Sequence, residues 1–347
     1  MIDPIHNREI AERVIPFVLD DSWIMPQKLK ILCAHFSPFK NELEAADYPL
    51  FLSKMFPNSL IHATYDKGSS YVPFELNGNV LNDLVDVDDR YDVIIGRSSV
   101  FNNMASRDNH RKTLDNSGFK VNIKPMGLGG NVNHCDFWFD DDYLFCPPSP
   151  LFRERVNSII EDDSFQKKNF ILFSGKVGQE KNQLDFVDRV DTALCVGLKF
   201  VFVGNCEAEV DYVRSLSEAC EKKGISYSIK GVVDFIKEMP YYTTHSKLHV
   251  INCDPRPFGQ PYDPIPRVLG ECALSDTHTI CSKTTLFNDD VSKYVTSYDH
   301  ESSNSLNDAF SKSLDIDSSG YHYELITMEE KCYDMTWRIL KEAGILS

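Results

Sequence analysis

The segment KNFILFSGKVGQEKNQLDFVDRVDTAL, residues 168–194, has the pattern of a strand, a loop and a helix in succession. Its apolar run at 168–176 is typical of a strand buried inside a parallel sheet. A loop with two glycines follows at 174–182, and residues 182–194 predict a helix. A strand followed by a helix in this way is the repeating unit of α/β proteins.

The same alternation continues through the second half of the chain. Apolar runs predict further strands at 197–205, 225–231, 247–254 and 277–283. Helices are predicted between them at 207–224, 233–245 and 265–275, the first of which ends at Gly224. This order indicates a parallel sheet with helices on both faces, in which ligands bind at the carboxyl ends of the strands.

The first half contains a second series of apolar runs. They predict strands at 28–36, 91–99, 119–127 and 141–149. Prolines at 147, 148 and 150 then interrupt the pattern, and a chain of 347 residues exceeds the usual size of one core. We therefore predict a first domain over 1–150 and a second over 151–321. Residues 321–346 carry apolar side chains at helical spacing and predict one long final helix.

Composition and charge exclude several classes of protein. The formal net charge of -16 argues against a surface for duplex nucleic acid, which needs clustered Lys and Arg. The ten cysteines are scattered without any CxxC pair, which favours reduced thiols in a cytoplasmic protein. The N-terminus lacks the apolar run of a signal peptide, and no stretch approaches the roughly 20 apolar residues of a membrane span. We expect a cytoplasmic protein without a membrane span or a nucleic-acid partner.

The loop at 174–182 carries two lysines next to a glycine turn. Gly175 permits a tight turn, and Lys176 and Lys181 stand five residues apart, the second at a helix start. Two ammonium groups that converge there with helix N-terminal amides form a site for a diphosphate. The alternative interpretation is a pair of solvated lysines on an ordinary turn.

A second candidate segment is YDPIPRVLGECALSD, residues 262–276. Two prolines suit the first turn of a helix, and Asp263 precedes that helix while Glu271 lies a little over two turns further on. One carboxylate would bind a sugar hydroxyl and the other a ribose diol. The alternative is an Asp N-cap with a solvated Glu. Apolar neighbours leave Glu271 little exposed surface, and a buried carboxylate needs hydrogen-bond partners.

Taken in order, these segments resemble the nucleotide-sugar-binding half of retaining GT-B glycosyltransferases. The resemblance covers about residues 168–300 and includes ILFSGKVGQEKNQLDF, GLKFVFVGN, KGISYSIKGVV and DPIPRVLGECALSDTHTICSK. It is carried by a Gly-Lys turn, a second lysine five residues on, and an acid-x7-Glu pair. The resemblance implies two doubly wound Rossmann-like domains that face each other across a cleft. It also implies that a C-terminal helix, 322–347, packs back toward the first domain.

The resemblance also implies roles for individual residues. Lys176 and Lys181 would hold the donor diphosphate next to Gly175. Asp263 would touch the transferred sugar, and Glu271 would bind the nucleotide ribose. The remaining donor contacts implied by the family lie at Ile265, Pro266 and Arg267, which flank the donor, and at Gly231 and Val232, which lie against the base. The chain departs from the family pattern in having Asp for Glu at 263 and Lys for Arg at 176.

The first domain matches the family less closely. Its first predicted strand is not followed by the family's glycines, and Arg97 stands where the family places a catalytic-site His. Arg97 would either stabilise phosphate charge or pair structurally with a neighbouring Asp. Both interpretations stay open.

The function that the resemblance implies is transfer of a sugar from a UDP- or GDP-linked donor to an acceptor hydroxyl. The acceptor would belong to a glycan, a glycoprotein or a lipid-linked molecule. The anomeric configuration would be retained, and neither a metal nor another cofactor would be needed. The alternatives are a GT-B nucleotide-sugar epimerase and a non-catalytic protein that binds sugar nucleotides or glycans. Asp140 and Asp142 have the spacing of a metal-binding DxD pair, but we interpret them as surface acids.

Overall fold

The computed structural model describes residues 19–34, 43–67, 70–77, 80–84, 90–97, 100–123, 134–139, 148, 150–207, 209–253, 268–283 and 292–346. The chain divides into two compact units. The first comprises Met1–Leu144 and Thr327–Ser347, and the second comprises Phe145–Ile326. These boundaries lie a few residues away from 150/151 and 321/322, the positions predicted from the sequence.

The first unit contains a sheet of seven described strands in the order β4-β3-β2-β1-β5-β6-β7. The strands are β1 Lys30–Ala34, β2 Leu60–Lys67, β3 Ser70–Asn77, β4 Val80–Leu84, β5 Val93–Arg97, β6 Phe119–Ile123 and β7 Phe137–Phe139. Strands β2, β1, β5, β6 and β7 are parallel neighbours, whereas β3 and β4 add an antiparallel edge. Described helices of this unit are Leu43–Met55, Val100–Ala105, Asp108–Asn116 and Met328–Glu342.

Three of the strands predicted for this unit are confirmed as β1, β5 and β6. Strands β2, β3 and β4 were not predicted, because they mix polar with apolar residues and contain no continuous apolar run. The strand predicted at 141–149 falls almost entirely outside the described residues. The strand observed next to that segment is β7, a few residues earlier.

The C-terminal helix Met328–Glu342 belongs to the first unit. Its Thr336 hydroxyl lies 3.0 Å from the Tyr48 hydroxyl, and the Tyr333 ring stacks on Trp23 with centroids 4.6 Å apart. The prediction of one helix over 321–346 was wrong, because a short helix at Tyr321–Glu324 ends before a new one begins. Thr327 and Glu330 form a capping box that starts the second helix.

The second unit contains six described strands, all parallel, in the order β10-β9-β8-β11-β12-β13. They are β8 Phe170–Ser174, β9 Lys199–Val203, β10 Ser226–Ile229, β11 Leu248–Ile251, β12 Thr279–Ser282 and β13 Val295–Tyr298. Counted within the unit, this is the order 3-2-1-4-5-6 of a Rossmann sheet. The direction of winding changes between β8 and β11, so a ligand is expected at the carboxyl ends of these two strands.

Helices connect the strands of the second unit. The described ones are Pro150–Ile160, Gln183–Arg189, Val210–Lys223, Met239–His245, Val268–Leu274, Ser303–Leu314 and Tyr321–Glu324. The helix predicted over 182–194 ends at Arg189, because Asp191 caps a separate 3-10 turn, Thr192–Cys195. The helix predicted over 233–245 begins only at Met239, with a proline in its first turn.

Aromatic rings fill the core of the second unit. Phe173 of β8 is buried and lies 4.7 Å from the ring of Phe202 and 5.2 Å from that of Phe186, measured between centroids. Phe310 of helix Ser303–Leu314 packs against the Phe186 ring and belongs to the same buried cluster. Within the described parts of both units, no helix combines the length and the apolar composition that a bilayer crossing requires.

Candidate functional site

A cavity of about 460 Å³ opens in the second unit at the carboxyl ends of β8, β9 and β11. Residues that end or directly follow these strands line it. They are Ser174 and Gly175 after β8, Gly204 and Asn205 after β9, and Asn252 and Cys253 after β11. The cavity therefore lies at the change of winding, where a doubly wound sheet binds its ligands.

Two glycine turns bring the ends of β8 and β9 together. Gly175 has φ 107° and Gly204 has φ 148°. The Gly175 N–H donates to the Val203 carbonyl at 2.9 Å, and the Gly204 N–H donates to the Gly231 carbonyl at 2.8 Å. A Cβ on Gly204 would lie 1.7 Å from the Gly175 oxygen, so only glycine permits this approach of the two backbones.

Gln183 holds the loop 174–182 in shape. Its amide Nε2 donates to the Lys176 carbonyl at 2.8 Å, and its Oε1 accepts from the Gly178 N–H at 3.3 Å. The side chain is buried at the start of helix Gln183–Arg189. Sequence analysis missed Gln183, because its neighbours Asn182 and Asp185 are polar too and nothing in the local pattern marks it as buried.

Both predicted loop lysines line the cavity. The stem of Lys181 passes over Gly175, where a Cβ would lie 3.9 Å from its Cε, and its Nζ donates to Cys253 Sγ at 3.6 Å. Lys176 Nζ lies 2.6 Å from Glu209 Oε1. The hydrogen bond to Glu209 raises the pKa of Lys176, and the same bond lowers the pKa of Glu209.

Glu271 lies in the first turn of helix Val268–Leu274, lines the same cavity and is 3% exposed. This burial excludes the interpretation of Glu271 as a solvated surface residue. Its predicted partner Asp263 lies outside the described residues, as do Ile265, Pro266 and Arg267. The roles that the resemblance implies for these four residues stay predictions.

An apolar wall lies on the side of the cavity formed by the segment after β10. Val232, Val233, Phe235 and Met239 line it, and Phe235 stacks on the Phe152 ring with centroids 5.1 Å apart. Val232 is 75% exposed, and Gly231 next to it has φ 67°. The structure thus places Val232 on the cavity and Gly231 at the turn behind Gly204.

Two buried polar side chains from β11 and its end support the site. Asn252 donates from Nδ2 to the Asn182 carbonyl at 2.7 Å and accepts a hydrogen bond from the Tyr298 hydroxyl. His249 Nε2 lies 2.9 Å from the Ser174 hydroxyl, and burial lowers the pKa of His249 to about 3. The histidine is therefore neutral at physiological pH and holds the Ser174 side chain at the cavity. Sequence analysis missed Asn252, because the strand predicted at 247–254 contains this residue, whereas β11 ends at Ile251.

The remaining candidates lie elsewhere. Arg97 is the last residue of β5 in the first unit and pairs in register with Ile123, while its side chain is outside the described part of the structure. Asp140 and Asp142 lie outside it as well. Among the residues that are described, no group of three or more His, Cys, Asp or Glu side chains is placed to hold a metal ion.

The cavity combines two ammonium groups, a buried carboxylate and an apolar wall within one concave surface. Ammonium groups and loop N–H groups bind phosphate oxygens, and a buried carboxylate accepts hydrogen bonds from hydroxyls. The apolar wall suits a flat ring. The arrangement therefore fits a ligand that carries phosphate, hydroxyl and aromatic parts.

Comparison with known proteins identifies the fold. No protein-family model matches the sequence, and no curated protein matches it significantly. Among solved structures, the chain is similar to AviGT4, a glycosyltransferase involved in avilamycin A biosynthesis. The TM-score is 0.62 and the sequence identity 13%, and the match covers 92% of this chain and 99% of AviGT4. A glycosyltransferase from Rickettsia africae ESF-5 matches with a TM-score of 0.57 and 11% identity over 92% and 100% of the two chains.

The catalytic domain of starch synthase IV from Arabidopsis thaliana, bound to ADP and acarbose, matches with a TM-score of 0.53 and 9% identity over 93% and 100% of the two chains. Identities this low establish the fold and not the activity. The chain has the GT-B fold, and the predicted α/β class with Rossmann-like units is confirmed.

Proposed function

We propose that this protein is a glycosyltransferase that moves a sugar from a nucleoside diphosphate donor to an acceptor hydroxyl. The observation that carries the proposal is that Lys181 and Glu271, 90 positions apart in the sequence, line one cavity at the change of winding of a Rossmann sheet. The GT-B fold supports it, because the fold neighbours are glycosyltransferases.

In the proposed reaction the loop 174–182 stabilises the leaving group. Negative charge grows on the diphosphate as the bond to the sugar breaks, and the Lys181 ammonium offsets it. Glu271 accepts hydrogen bonds from the ribose hydroxyls, and Val232 with Phe235 contacts the base. Asp263 binds the transferred sugar. We propose that the loop lysines Lys176 and Lys181 serve in place of a divalent metal and that no other cofactor takes part. We also propose that the anomeric configuration of the sugar is retained.

The donor and the acceptor define the substrate class. We propose a UDP- or GDP-linked sugar as donor and a glycan, a glycoprotein or a lipid-linked molecule as acceptor, with the protein acting in the cytoplasm. ADP belongs in any test, because it occupies the starch synthase neighbour.

A ligand panel tests the proposal directly. We expect one of UDP, GDP or ADP, or a sugar derivative of it, to raise the melting temperature, because a ligand that binds the native state stabilises it. Lys181→Ala and Glu271→Gln are expected to abolish this shift. Lys222→Ala, at an exposed position of helix Val210–Lys223, serves as the control.

Two outcomes would count against the proposal. The first is that no nucleoside diphosphate or nucleotide sugar stabilises the protein, with or without Mg²⁺. The second is that the donor binds and is converted without any acceptor into an epimer, which identifies an epimerase by product analysis.

A further inference from the structure

We propose that Glu209 is an internal anion that competes with the diphosphate for Lys176 and thereby speeds release of the nucleoside diphosphate product. The inference rests on the proposed function and adds a residue that acts on product affinity. Glu209 lies just before helix Val210–Lys223, outside the segments that carry the family resemblance.

The carboxylate of Glu209 makes the two contacts that a bound phosphate would make. One oxygen, Oε1, lies 2.6 Å from Lys176 Nζ. The other, Oε2, accepts the Gln179 backbone N–H at 2.7 Å. An ammonium group and a loop N–H are the donors that a phosphate-binding loop offers to its ligand.

Room for this carboxylate is built into the loop at Gly178. A Cβ at Gly178 would lie 2.4 Å from Glu209 Oε1 and 2.7 Å from Oε2, so any larger residue would displace the carboxylate. The Gly178 N–H itself is held by Gln183. The absence of a side chain at Gly178 therefore leaves the space that the Glu209 carboxylate occupies against the loop.

The two lysines of the loop contact different side chains. The Lys176 ammonium lies 2.6 Å from a Glu209 carboxylate oxygen, and the Lys181 ammonium donates to Cys253 Sγ at 3.6 Å. Attraction between Lys176 and an incoming diphosphate is reduced by this carboxylate, which also repels the phosphate oxygens. The competition for Lys176 and the charge repulsion by Glu209 weaken binding of the diphosphate and affect the nucleoside part of the ligand much less.

Weak binding of the diphosphate serves turnover. Product release limits the rate of many enzymes whose substrate-binding loops close over a charged product. A carboxylate that retakes Lys176 and the Gln179 N–H as the diphosphate leaves would favour release. Lys181 would still act on the leaving group during the chemical step.

The test compares Glu209→Gln with Glu207→Gln. The amide of the first variant still accepts the Gln179 N–H while removing the charge, and Glu207 is an exposed residue two positions earlier with the same charge change. Calorimetry measures the Kd of the tightest binder among UDP, GDP and ADP, and of the matching monophosphate. We expect Glu209→Gln to lower the diphosphate Kd about 3- to 10-fold, with a parallel fall in the product inhibition constant. The monophosphate Kd and the Glu207→Gln variant should change less than about 2-fold.

A second variant keeps the test decisive. In a Lys176→Met background, Glu209→Gln should tighten the diphosphate clearly less, because the competition for Lys176 is gone and only the repulsion by the carboxylate is relieved. An unchanged or higher diphosphate Kd in Glu209→Gln would overturn the inference and assign the ion pair a purely structural role. Equal tightening with and without Lys176 would overturn it as well. If the unaltered protein binds none of the three nucleotides, the proposed function itself fails, which is a distinct result.

Discussion

Gly204→Ala tests whether the close contact between the β8 and β9 turns builds the site. The new Cβ would lie 1.7 Å from the Gly175 oxygen, and the two backbones must separate by about 1.3 Å to reach 3.0 Å. A backbone clash of this kind costs roughly 1–3 kcal/mol. Alanine at φ 148° adds roughly another 1–3 kcal/mol of strain. We therefore expect a loss of about 2–6 kcal/mol in the free energy of unfolding of the second unit.

Gly197→Ala is the matched control at the other end of β9. Gly197 also has a positive φ, 75°, but a Cβ there meets no atom within 4 Å among the described residues. Left-handed strain alone predicts a loss of about 1–2 kcal/mol. The difference between the two variants therefore reports the contact with Gly175 together with the additional backbone strain at φ 148°.

The assay has to report on the second unit by itself, because a chain of two units does not unfold in one step. All three tryptophans, Trp23, Trp138 and Trp337, belong to the first unit, so their fluorescence is unsuitable. Amide hydrogen exchange in β8 and β9 measures the local free energy of opening. Calorimetry of nucleotide binding gives the functional consequence, which we expect to be at least about a tenfold rise in Kd, since a 1 Å displacement of a binding group is costly.

The result that would refute this reasoning is a Gly204→Ala protein that matches Gly197→Ala in hydrogen exchange and binds nucleotide as the unaltered protein does. Such a result would mean that the turns yield without cost. The loop at Gly175 would then not depend on Gly204 for its position.

Two further outcomes are expected. Lys181→Ala should lower turnover by about 100-fold or more, because it removes a cation from the leaving diphosphate. The control variant Lys222→Ala should leave turnover unchanged. Equal rates in the two variants would contradict the role of Lys181. Burial lowers the pKa of His278 to about 4, whereas the pKa of histidine in an unfolded chain is roughly 6.5. Between these two values the unfolded state binds a proton that the folded state does not. The free energy of unfolding therefore falls as pH drops from about 6.5 toward 4. We therefore measure the free energy of opening of β12 by amide hydrogen exchange at pH 7 and pH 5.5. It should fall by about 1 kcal/mol more in the unaltered protein than in His278→Gln. The same pH dependence in both proteins would disprove this.

Local patterns were sufficient for the parallel core. Strands β8, β9, β11 and β12 were predicted within a few residues, because strands buried on both faces are rich in apolar residues. Gly224 ends its helix at φ 67°, as predicted for a C-terminal glycine. The positions of the loop lysines after β8 follow from the same pattern.

Patterns failed where a neighbouring segment sets the structure. None of the strands β2, β3 and β4 is a continuous apolar run. They are joined by antiparallel pairing, and side-chain pairs across neighbouring strands stabilise them. The break before Met328 depends on the side-chain bonds between Thr327 and Glu330. Neither feature is visible in apolar runs or in residue spacing.

Amino-acid order alone established the α/β class, the rhythm of the second unit and which residues carry charge near the ends of its strands. It could not establish which of those charges meet. The pairing of Lys176 with Glu209 and the contact of Gly204 with Gly175 join segments that are about 30 residues apart. Such contacts arise when parallel strands assemble side by side, because the folded sheet fixes the distance between their ends and the linear chain does not.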